Sequence, residues 1–151
     1  MNRWLACAGA LGIFTAFVHL VAGGADILAP FLEAPLSPEV KGTMHACWHM
    51  VTVLLFTSAA ALFASAFAKR SGAATVARFL GAQYLGHGSV FLAVAWLGRG
   101  GIGPWALPQW ALLLPVGALA LVGARKASSS SMRGYPPPPV PEGPGCAYRA
   151  G

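Results

Sequence analysis

Formal charges cut this chain into four long apolar runs. Arg3 to Asp26, Lys41 to Lys69, Arg78 to Arg99 and Arg99 to Arg125 each enclose 20 or more residues without a charge. About 20 apolar residues in a helix cross the roughly 30 Å hydrocarbon core of a bilayer. The pattern therefore predicts four transmembrane helices, at about residues 4–25, 43–67, 77–98 and 105–123. Joined by short connections, they predict an all-α polytopic integral membrane protein, an antiparallel four-helix transmembrane bundle over residues 1–126.

The punctuation between the runs agrees. Gly23-Gly24 closes the first, and a connection with Pro30, Pro35 and Pro38 follows. Ser37-Pro38-Glu39 reads as a helix start: an N-cap serine, a proline at the first helical position, and an acid favourable to the dipole. Lys69-Arg70-Ser71-Gly72 is a short cytoplasmic turn, and Gly98 to Pro108 a Gly/Pro-rich external one. Trp96, Trp105 and Trp110 are placed as anchors at one membrane interface and Trp4 at the other. Pro115, which removes one backbone hydrogen bond, is expected to kink the fourth helix. In the third, Ala77/Gly81 and Ala82/Gly86, with Gly88, are small residues that let another helix approach closely, inside the bundle or across a dimer face. From 127 to 151 the run of serines and then Pro136 to Pro139 cannot build a core, so a disordered cytoplasmic tail is expected.

Composition sharpens the class. Only 9% of the 151 residues are charged, against roughly 25% in a soluble domain. The net charge of +6 does not imply a nucleic-acid partner, because its distribution is that of a topology signal. With the N-terminus inside, Arg3, Lys69, Arg70, Arg78, Arg125, Lys126, Arg133 and Arg149 all fall on the cytoplasmic side. Lys41 and Arg99 fall outside, with Asp26, Glu33 and Glu39. Both termini are thus expected to be cytoplasmic, in a plasma (bacterial inner) membrane. A cleavable signal peptide competes for residues 1–25, but the apolar run is longer than a signal core and carries His19, which favours a retained helix. Cys7, Cys47 and Cys146 lack the spacing of a metal or redox motif and read as small apolar residues.

The chemistry lies in four histidines, all inside the apolar runs: His19, His45, His49 and His87. Imidazole in hydrocarbon is costly unless it meets a partner, a cavity or a ligand. At 1.5 Å rise per residue, His19 lies about 10 Å, His49 about 12 Å and His87 about 18 Å below the outer boundary. Three helices thus bring a histidine to similar depth in the outer half. His45 and His49, at i and i+4, share one helix face, a spacing that lets two imidazoles hold one metal. Met44, Cys47 and Met50 look copper-like by composition, yet Cys47 points about 160° away from His49 at 100° per residue. Lys41, one turn above His45, opposes a cation there.

Thr15, His19, Gly23 and Asp26 share a face in an α-helix, and Gln83 precedes His87 by four residues. Thr15 and Gln83 are therefore candidate partners for imidazole N–H groups, and Asp26 for fixing a tautomer of His19 or His45. Three readings compete. His19 and His49, with His87 as the alternative axial group, bind one b-type haem or a transition metal. Alternatively the histidines form a proton or small-ligand site in a transporter or membrane enzyme. In the third, they hold helices together in a non-catalytic accessory subunit of a larger membrane complex or homo-oligomer, with the lipid bilayer as the remaining partner. No carboxylate pair, phosphate loop or nucleophile triad supports an enzyme.

Overall fold

A computed structural model describes residues 1–68, 72–97 and 103–133, with the side chains of 128–133 excepted. The Lys69–Ser71 turn, residues 98–102 of the 98–108 turn, Cys146 and the tail beyond Arg133 lie outside the described residues. The described chain is all-helical. Helix α1 (Arg3–Val18) passes into a π-helical stretch (His19–Leu28) and then α2 (Ala29–Glu33); α3 (Pro38–Ser65), α4 (Gly72–Leu97) and α5 (Trp110–Arg133) follow, with a 3₁₀ turn at Pro104–Ala106.

Among the described residues, three helical stretches are long and apolar enough to cross a membrane: Arg3–Glu33, Pro38–Ser65 and Trp110–Ala127. Residues 77–97 of the predicted span 77–98 are helical within the 26-residue α4, and Gly98 lies outside the described residues; α4 is less apolar than those three. The reason is chemical: Gln83, Tyr84, His87 and Ser89 interrupt its aliphatic sequence. Helix α3 begins where the Ser37-Pro38 signal puts it, with Ser37 Oγ accepting from the Val40 N–H at 3.4 Å. Helix α5 runs through Pro115, which is exposed, and continues to Arg133.

Helix α1 packs chiefly on α3 and α5, α4 packs on α5, and α3 meets α4 over a smaller area. Glycine makes the close approaches. A Cβ on Gly9 would lie 2.7 Å from the Phe63 backbone, and one on Gly12 2.9 Å from the Ala59 Cβ. Gly23 faces the Trp48 ring, so α1 and α3 pass in opposite directions. In the same way Gly81 meets Gly117 and Leu121, while Gly88 meets Leu114. Ala77, Gly81 and Gly88 are thus internal packing residues, whereas Ala82 and Gly86 are exposed. Leu5, Leu62 and Val116 are fully buried at the core.

Asn2 joins three helices. Its Oδ1 accepts from the N–H groups of Trp4 (3.2 Å) and Leu5 (3.4 Å), capping α1. Its Nδ2 donates to the Gly123 carbonyl at 2.8 Å, and its backbone N–H donates to Ala66 O at 2.8 Å. Nearby, Lys126 Nζ lies 4.5 Å from the centroid of the Trp4 ring. The start of α1, the end of α3 and the Arg125-Lys126 part of α5 therefore share one end of the molecule.

In the middle, Tyr84 is only 2% exposed. Its hydroxyl lies 2.9 Å from Ser58 Oγ, which also donates to Leu55 O at 3.1 Å. The Tyr84 hydroxyl has a second, longer acceptor in Leu55 O at 3.4 Å. Tyr84→Phe removes these bonds without opening a large cavity and should cost about 1 kcal/mol. Thermal unfolding in detergent should register the loss as a lowered midpoint with unchanged helix content.

Candidate functional site: the histidines

The polar side chains of the apolar helices mostly satisfy themselves locally. Thr15 Oγ1 donates to Leu11 O at 2.8 Å, Thr52 Oγ1 to Trp48 O at 3.0 Å, and Thr57 Oγ1 to Val53 O at 2.8 Å. A hydroxyl that bonds the carbonyl one turn back leaves no unpaired donor in an apolar setting. Thr15 donates to its own helix, and no hydrogen bond joins it to an imidazole among the described residues.

His19 opens the π-helical stretch, half-buried between α1 and α3. Its ring stacks on Trp48 with centroids 4.2 Å apart and 18° between planes. His19 Nε2 lies 3.4 Å from the Trp48 carbonyl, to which it donates in the Nε2–H tautomer. The nitrogen that faces α3 is thereby occupied. The Trp48 indole Nε1, buried, has no hydrogen-bond partner among the described residues.

Asp26 is exposed and makes no hydrogen bond to His19 or His45 among the described residues. The π-helix explains why. Its i→i+5 bonding gives more than four residues per turn. Gly23 therefore stays near the His19 face and lies against Trp48. Asp26, seven residues on, is turned off that face.

His45 and His49 are both exposed on α3 and do come together. Their Nε2 atoms are 3.0 Å apart and their ring centroids 4.8 Å apart. As neutral imidazoles, one donates to the other. His87 is exposed on α4, and with Gln83, Tyr84, Leu54, Leu55 and Ser58 it lines a cleft between α3 and α4. The cleft has room for about one water molecule, far less than a haem requires.

Thus the structure pairs His45 with His49, sets His19 on Trp48 and places His87 with Gln83 at a separate cleft. Among the described residues, no group of three or more His, Cys, Asp and Glu side chains is placed to hold a metal ion. Cys7 and Cys47 are free and exposed. Sequence reasoning overlooked Trp48 and Asn2. For Asn2 a signal existed, since asparagine just before an apolar helical run is a capping pattern. For Trp48 the clue was the facing Gly23, whose partner lies 25 residues on and is invisible to local patterns.

Comparison with protein-family models, with curated proteins and with solved structures finds no match.

Proposed function

We propose that this chain is a small multi-pass protein of a plasma membrane, the inner membrane in a bacterium. In this reading α1, α3, α4 and α5 form an antiparallel four-helix bundle with both termini cytoplasmic, and the protein acts as a non-catalytic subunit of a larger membrane assembly. Arg3, Arg125 and Lys126 at one end, with Asp26, Glu33 and Glu39 towards the other, favour that orientation. The exposed surface is rich in large apolar side chains such as Phe14, Phe17, Val53 and Phe79, as a lipid-facing surface is.

One observation carries the accessory reading: the outer face of α4. Ala82, Gly86, Ser89 and Ala93 are all exposed, at the i, i+4, i+7 and i+11 positions of one stripe. Small residues in such a row admit another helix at close range. His87 is exposed as well, but at 100° per residue it lies about 130° around α4 from this row, on the side of the α3/α4 cleft. A second copy or another membrane subunit docked on this row satisfies the pattern.

Haem ligation by His19 and His49 is less favoured, since it requires His19 to leave both the Trp48 ring and the Trp48 carbonyl. The test is a photo-crosslinking residue at Ala93, compared with one at Phe14, in native membranes. A discrete protein adduct at Ala93, absent at Phe14 and lost with Gly86→Leu, is expected. Lipid adducts alone at both positions would refute the docking face.

A further inference from the structure

We infer that His45 and His49 form a two-imidazole site for one divalent transition-metal ion on the outer end of α3, completed by water. This is independent of the docking face on α4. The i,i+4 spacing alone permits such a site; the geometry goes further. Zn–N bonds to histidine measure about 2.0–2.1 Å. Two nitrogens 3.0 Å apart at that bond length subtend roughly 95° at the metal. That is the cis angle of a square-planar or tetragonal ion, with only a small opening needed for a tetrahedral one. The two Nε2 atoms are already the ones that face each other, so the ion enters where the shared hydrogen bond now lies.

Loading balances simply. In the metal-free pair one Nε2 carries the shared proton and the other accepts it. When the ion enters, the donor ring moves its proton from Nε2 to Nδ1, both Nε2 lone pairs bind the metal, and two waters fill the remaining positions. No net proton is released and no redox step occurs. Both residues are exposed on α3, so no packed side chain blocks an ion or its water ligands, and they lie four and eight residues after Lys41. Two further arguments set the kind of ion. Imidazole favours Cu²⁺, Ni²⁺ and Zn²⁺ over Ca²⁺ and Mg²⁺, which take oxygen ligands. Lys41, one turn nearer the helix start, repels any cation. Only ions that bind imidazole strongly overcome it, and Cu²⁺ stands highest in the affinity order.

The soft residues nearby do not join. Cys47 faces away from the pair around the helix, in keeping with the lack of any three-residue group of metal-binding side chains among the described residues. His19 is held by Trp48 and His87 lies across the α3/α4 cleft.

The experiment uses the full chain, purified without a histidine tag in detergent micelles and titrated with Cu²⁺ and, separately, Zn²⁺. Electron paramagnetic resonance at equimolar Cu²⁺ should show a tetragonal centre with coupling to two nitrogens. Calorimetry should show His45→Ala and His49→Ala each weakening binding by roughly tenfold or more, with His19→Ala and His87→Ala unchanged. Circular dichroism of the two exposed-site variants should match the parent, which separates lost ligation from lost fold. Parent affinity retained in the His45→Ala/His49→Ala double variant would overturn the site. So would binding lost equally in His87→Ala.

Discussion

Replacing Gly9 with alanine should destabilise the protein more than any other single-methyl change, whereas the same change at Gly86 should not destabilise it at all. At Gly9 the added carbon would lie 2.7 Å from the N, Cα and Cβ of Phe63. Two of those atoms are backbone, so no rotamer change relieves the clash. Contact near 3.5–4.0 Å is restored only by moving α1 and α3 apart by about 1 Å. That separation loosens the helix pair on which α1 most depends, including the Gly12–Ala59 approach a turn further on. Overpacking of this kind costs typically 1–3 kcal/mol, which outweighs the gain of up to about 1 kcal/mol that alanine brings to a helix interior.

Gly88→Ala should fall between the two. Its nearest neighbours are the Leu114 side-chain tips, at 2.6 and 2.8 Å, which can rotate away. At Gly86 nothing lies within 4 Å, so only the helix-propensity gain remains in the isolated protein. Thermal midpoints in one detergent should rank Gly86→Ala at or above the parent, then Gly88→Ala, then Gly9→Ala. A Gly9→Ala midpoint equal to that of the parent would mean that α1 and α3 do not pack as described.

The contrast between those glycines shows what local sequence carries and what it does not. The small-residue pattern of α4 was legible, but which of its members face α5 was not. A helix apolar around its whole circumference has no polar face from which its orientation can be read. Lipid and protein interior are equally apolar, so Ala77/Gly81 and Ala82/Gly86 look alike until α5 is in place. The histidines repeat the lesson. The His45–His49 pairing followed from one helix's own periodicity. Whether His19, His49 and His87 converge depends on how three helices are rotated relative to one another. That rotation is set by Gly9, Gly12 and Gly81 meeting residues far along the chain. The π-helical turn at His19 broke even the local arithmetic, carrying Asp26 away from the face that α-helical counting assigned to it. The helix start at Ser37-Pro38, by contrast, needs only adjacent residues and came out where the sequence put it.

Trp48→Ala should be the most damaging side-chain deletion at the His19 end of the α1/α3 pair, and its comparison with His19 decides what that histidine does. The indole fills the space between α3 and the π-helical stretch. It stacks on His19 at 4.2 Å and approaches the open Cα of Gly23. Deleting a large buried aromatic costs 3–5 kcal/mol. Trp48 is half-buried, so a loss on the order of 3 kcal/mol is expected, together with looser protection of the amides of residues 19–28. His19→Phe keeps a flat ring over the indole and gives up only the single 3.4 Å contact to the Trp48 carbonyl. It should therefore lose no more than about 1 kcal/mol, while His19→Ala, which removes the stack as well, should lose more. The double variant His19→Ala/Trp48→Ala should then lose less than the sum of the two singles, because the stack can be removed only once. Unfolding of this set in a single detergent, followed by tryptophan fluorescence in the variants that retain Trp48 and by circular dichroism in all, provides the measurement. Additive losses would show that the ring stack contributes nothing. A His19→Phe protein that is fully stable but has lost a bound group would return His19 to ligand chemistry. A small loss in His19→Phe with non-additivity in the double variant identifies an imidazole used for its flat face and its one donor, a packing device at a depth where an unpaired polar ring would be costly.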